Sequence, residues 1–100
     1  MTTTPGAGTY LVLFNADMEH ATANATITYA LYANSVQVAD SVRTCEQPIV
    51  SAVGTPAIRN YGTQSIITVA AGQAIEVRAA ETGAGILTIH NRSLTLLKIA

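Results

Sequence analysis

The chain is 100 residues long, 49% hydrophobic and only 11% charged, with a net charge of −1 and a single cysteine, Cys45. One hydrophobic core fits this length, not two, and one cysteine excludes a disulfide within the chain. Five Lys and Arg, scattered along a chain of pI near 6.0, give no basic surface for nucleic acid.

No apolar run reaches bilayer length, so a membrane span is not expected. Nor does the start carry a charged-then-apolar leader, so no signal peptide is expected. A folded monomer of this mass exposes about 5,400 Å² of surface. Few charges over that area, with a mean hydropathy of +0.33, favour an oligomer that hides apolar surface in its contacts.

In chain order, residues 1–8 ("MTTTPGAG") read as a flexible N-terminal segment ahead of a domain over 9–100. Strands are expected at Thr9–Ala16, Ala25–Ala33, Ser35–Val42, Gln64–Val69, Ala74–Ala80, Ile86–His90 and Ser93–Ile99, all rich in Val, Ile, Leu, Thr and Tyr. Turn residues separate them: Asn34-Ser35, Ala71-Gly72-Gln73, Thr82–Gly85 and Asn91-Arg92. Thr44–Thr63, with Pro48, Gly54, Pro56 and Gly62, reads as long connections with one or two brief edge strands. No segment of ten residues carries a helical stripe. About eight short strands at regular spacing imply an all-β fold, a sandwich of two antiparallel sheets or a barrel.

The faces of these strands carry the main functional expectation. Tyr10, Val12 and Phe14 share one side of the first long strand, Leu11 and Leu13 the other; Leu94 and Leu96 oppose Thr95, Leu97 and Ile99 in the last. A two-sheet sandwich covers only one face of each sheet. Strands apolar on both faces therefore call for a second cover, and neighbouring subunits supply it. The candidates for interface or core are Tyr10, Val12, Phe14, Leu94, Leu96, Leu97 and Ile99, with the face that meets a neighbour left open.

The order of motifs resembles the tumour-necrosis-factor and complement-head jelly-roll family, in its bacterial or phage branch. The residues that carry the likeness are "GTYLVLF", "ITYALYANSVQVADS", "ITVAAGQAIEVRAAETGAG" and the closing "SLTLLKI", spanning about Gly8 to Ile99. Asn34-Ser35 stands where that family has Asn-Gly, and Ala71-Gly72-Gln73 where Gly-Asp is common; the strand before Gly-x-Tyr is missing. The resemblance implies a jelly-roll sandwich assembled as a homotrimer. It further implies a structural role: decorating or capping a virion, such as a phage capsid, docked on a larger capsid, shell or fibre protein at the particle surface. The alternative is a receptor- or carbohydrate-binding trimeric head on a fibre, surface or spore-coat protein, with a host glycan as partner.

Catalytic chemistry finds little footing. The serines lack nucleophile-elbow glycines, and Cys45 lacks CxxC spacing. Gly83–Gly85 opens no helix that would cradle phosphate. Asp17, Glu19 and His20 match no metal-site spacing. No catalytic, cofactor-binding or metal-ligating residue is therefore assigned, no cofactor is expected, and the chain is not read as an enzyme. Three smaller features complete the reading. His90, Asn91 and Arg92 are a candidate polar cluster at a turn, Tyr29, Tyr32 and Tyr61 a weak sugar platform, and Asn24–Thr26 and Asn91–Ser93 coincidental glycosylation sequons.

Overall fold

The computed structural model describes residues 1–20, 25–46, 58–82 and 87–100, and the backbone alone of His20. The strands are β1 (Thr2–Thr3), β2 (Gly8–His20), β3 (Thr26–Ala33), β4 (Val36–Gln37), β5 (Arg43–Glu46), β6 (Arg59–Val69), β7 (Ile75–Glu81) and β8 (Leu87–Lys98), with one 3₁₀ turn at Ala39–Ser41. Among the described residues there is no α-helix. One sheet runs β6-β2-β8; the other runs β1-β7-β3, with β4 and β5 both paired to β3, and every pairing is antiparallel. The expectation of an all-β chain in two antiparallel sheets is met.

Because β7 pairs with β3 from Ile27 to Ala33, β4 and β5 must share β3's other edge. They form one strand interrupted by the 3₁₀ turn, where a single strand was expected at Ser35–Val42. Ser41 repairs the gap. Its buried hydroxyl accepts the Leu31 N–H at 2.9 Å and donates to the Val38 carbonyl at 2.7 Å, while the Val38 N–H reaches the Leu31 carbonyl at 2.9 Å. No backbone group of Leu31 is left unpaired. The turn at Asn34-Ser35 forms as expected, with φ of 49° and 64° at its two central residues, the left-handed pair that a two-residue primed hairpin turn requires.

The core lies between the sheets. Tyr10, Val12, Phe14, Ala16 and Met18 of β2, with Ile67 and Val69 of β6, meet Ile27, Tyr29 and Leu31 of β3 and Ile75 of β7. The strict alternation of β2 sets this face, since successive side chains leave a strand on opposite sides. Two buried hydroxyls on β6 then tie the sheets together along one side. Thr63 donates to the Ser41 carbonyl and Ser65 to Asp40, each at 2.7 Å, and the Tyr29 hydroxyl donates to the Gly62 carbonyl at 3.0 Å.

Three expectations are corrected. The segment read as flexible carries β1: Thr2 and Thr3 pair with Glu76 and Ile75, the Val77 N–H donates to the Met1 carbonyl at 2.9 Å, and Tyr10 bonds the Gly6 carbonyl. Two threonines suffice because β7 offers a free edge. The break expected at Asn91-Arg92 is a bulge inside one continuous β8. Asn15 faces Ser93 and Asp17 faces His90, so β8 carries one extra residue, and Asn91 takes φ of 44° to accommodate it. Finally, β6 starts at Arg59, since pairing with β2 from Gly8 to Met18 draws Arg59–Thr63 out of the expected connection. The expected edge pieces within 47–57, the start of a strand at Ile86, Gly83–Gly85 and Asn24 lie outside the described residues.

Candidate functional site

The outer face of the three-stranded sheet is the most distinctive surface of the molecule. Cross-strand pairing places Ile66, Leu11 and Leu97 side by side in one row. In the adjacent row Leu13 lies between Gln64 and Thr95, and beyond the first row Thr9 pairs with Thr68 beside Ile99, whose N–H donates to the Thr9 carbonyl at 2.8 Å. Ile66 is 63% exposed, Leu97 58% and Ile99 49%. A contiguous band of this kind, rather than a scattered Leu or Ile, marks a contact surface.

Toward the other end of the same face the chemistry turns polar. The Asp17 carboxylate accepts from Asn60 Nδ2 at 2.9 Å and from Asn91 Nδ2 at 3.2 Å, and Asn15 and Asn60 bond each other's amides at 2.8 and 3.1 Å. The bulge in β8 is what turns Asn91 back toward Asp17. Hydrogen bonds from Asn60 and then Asn91 hold the Asp17 carboxyl below its usual value; slight desolvation opposes this and the nearby His90 charge assists. One position further, His90 Nε2 lies 3.3 Å from Glu19 Oε1. Four amide and carboxylate side chains thus bond one another in a cluster beside the apolar band.

The seven candidate apolar residues divide between the two faces. Tyr10, Val12 and Phe14 are in the core, and Leu94 and Leu96 pack against it half-buried; Leu97 and Ile99 alone reach the open face. Leu11, Leu13 and Ile66 complete that face. Leu11 and Leu13 are the opposite side of the alternation that buries Tyr10, Val12 and Phe14, and Ile66 reaches the face through its pairing with Leu11. Of the polar trio, His90 and Asn91 join the cluster with Glu19 and Asp17, whereas Arg92 leaves it for an apolar slot lined by Met1, Phe14, Val77, Ala79 and Ile89.

The tyrosines do not form one platform. Tyr29 is buried, its ring 6.0 Å from Phe14 and 6.1 Å from Tyr61, while Tyr32 points outward under the Arg78 guanidinium at 4.3 Å. Arg78 also pairs with Glu76 on its own strand. Cys45 is half-buried with its thiol on the Ile27 carbonyl, and burial pushes its pKa up, away from a reactive thiolate. Among the described residues no three His, Cys, Asp or Glu side chains converge; His20 lies outside that description. A scan of protein-family models and a search of curated proteins gave no match to this chain.

Proposed function

We propose that this chain is a non-enzymatic structural subunit that self-associates in threes and decorates or caps a larger virion shell or fibre. The observation that carries the reading is the row Ile66–Leu11–Leu97, with Ile66 and Leu97 exposed about a half-buried Leu11, flanked by Leu13 and Ile99 on the outer face of one sheet. A second copy hides such a band at low cost in polar desolvation, and the hydrogen-bonded amide cluster at its end sets register, as polar groups do at interface rims.

The strand winding supports a jelly roll. The chain passes from one sheet to the other at every connection except those joining β3, β4 and β5, the wrapping that two interlocked Greek keys produce. The threefold number and the particle role come from the family resemblance in the sequence. A carbohydrate-binding head has weaker support, because two of the three tyrosines face inward and the third lies under Arg78.

Sedimentation equilibrium at micromolar concentration tests the assembly. The expected mass is three times that of the 10.4 kDa chain. A monomer removes the reading, and a dimer replaces the threefold arrangement with a twofold one.

A further inference from the structure

The two lateral sides of the sandwich are built differently. On the β6 side, Thr63, Ser65 and Tyr29 bond across to Ser41, Asp40 and Gly62, and the sheets are stitched shut. On the β8 side, the inward-facing Leu87, Ile89, Leu94 and Leu96 carry no polar side-chain atom that could make such a bond. Among the described residues β8 pairs only with β2 and ends its sheet, and β1, which flanks β7 opposite it, is two residues long. The inward side chains record this opening. Val12 and Met18 of β2 are fully buried, whereas Leu87, Ile89, Leu94 and Leu96 of β8 are half-buried and Ala79 of β7 is exposed. Between the sheets on this side lies the apolar slot of Met1, Phe14, Val77, Ala79 and Ile89, with Arg92 at its lining.

A twelve-residue edge strand presents alternate N–H and C=O groups that only another strand satisfies in register. Soluble proteins normally blunt such an edge or use it to add a strand from elsewhere. Charge selects among strands: β8 carries Arg92 and Lys98 but no Asp or Glu. Pairing two β8 edges would therefore bring cations together with no carboxylate to offset them.

We propose that the free edge of β8 is a docking site for an extended segment of a different protein. That segment adds to the sheet as a further strand. It carries small apolar residues at alternate positions, facing the slot over Val77, Ala79 and Ile89, and at least one carboxylate that meets Arg92 or Lys98. This site is separate from the outer-face band, so either can fail alone.

The probe is a capped heptapeptide of alternating Val and Thr with Asp at both ends, titrated into the isotope-labelled full chain and, separately, into Leu97→Asp. Saturable amide shifts are expected along β8 and at Met1, Val77 and Ala79 in both proteins, complete by about 1 mM peptide. The same peptide with a central proline binds about tenfold more weakly, since it loses an edge donor and fits the ladder poorly. Ala79→Arg, a substitution at an exposed position, fills the slot and weakens binding by a similar factor while leaving the fold intact. Four results overturn the proposal: no saturable shift; shifts centred on Leu11, Leu13 and Ile66 with β8 unmoved; a symmetric dimer through β8; or β8 outer amides already protected from exchange in the free chain.

Discussion

Leu11 and Leu97 are direct cross-strand partners on the open face of the three-stranded sheet, and Leu11 is at the same time the partner of Ile66. Leu97 is 58% exposed in the isolated subunit. Leu97→Asp therefore costs the monomer little, in the range of about 0.5 kcal/mol usual for surface changes. Yet it places a carboxylate in the centre of the proposed contact. The expected outcome is a monomeric species in light scattering with an unchanged circular-dichroism spectrum. A variant that assembles normally would show that the band is not the contact.

Ser41 gives a second prediction. Its hydroxyl is the partner of the Leu31 N–H and also donates to the Val38 carbonyl. Both are fully or largely out of water. Ser41→Ala leaves that N–H orphaned, a loss of about 1–3 kcal/mol in urea unfolding. Oligomeric state should not change at concentrations well above the association midpoint.

Ser35 occupies the left-handed region at φ of 64°, a conformation that costs a residue with a Cβ about 1–2 kcal/mol and glycine almost nothing. Ser35→Gly restores an Asn-Gly turn. Glycine's extra freedom in the unfolded chain takes back part of the gain. The net expectation is a rise in stability of about 0.5–1 kcal/mol, read from the denaturation midpoint at constant slope.

Asp17 predicts the acid limb. Its carboxyl is held below the ordinary value by Asn60 and Asn91. A group whose pKa is depressed on folding contributes stability that is present above the unfolded pKa, near 3.8, and is lost as pH falls through the folded one. Asn60→Ala should move the Asp17 carboxyl carbon titration upward toward 3.8. Asp17→Asn should flatten the decline in stability below about pH 4 relative to the parent chain. An unmoved titration in Asn60→Ala would show that the amide bond does not hold the carboxylate.

Much of this architecture is legible in the residues. Tyr10-Leu11-Val12-Leu13-Phe14 announces two apolar faces, and burial falls on alternate members as a strand demands. Asn34-Ser35 announces its turn. What misleads is chemistry shared by different structures. Asn91 tolerates positive φ in a bulge as readily as in a turn, so a continuous β8 reads as two strands. Asn60 and Gly62 look like connection residues until β2 pairs with them, because ladder bonds to a neighbouring strand override local preference. The Asp17–Asn60–Asn91 cluster joins residues from three strands, and no spacing within one segment foretells it.

Among the described residues, the hydroxyl stitches of Thr63 and Ser65 bind the sandwich along the β6 margin. The sheets consequently share a spine, and their easiest deformation is a parting at the opposite margin, where half-buried leucines face an exposed alanine. Local opening is therefore expected to admit water beside Ile89 and Ala79 before the Ser41 corner loosens, an order that amide exchange would read.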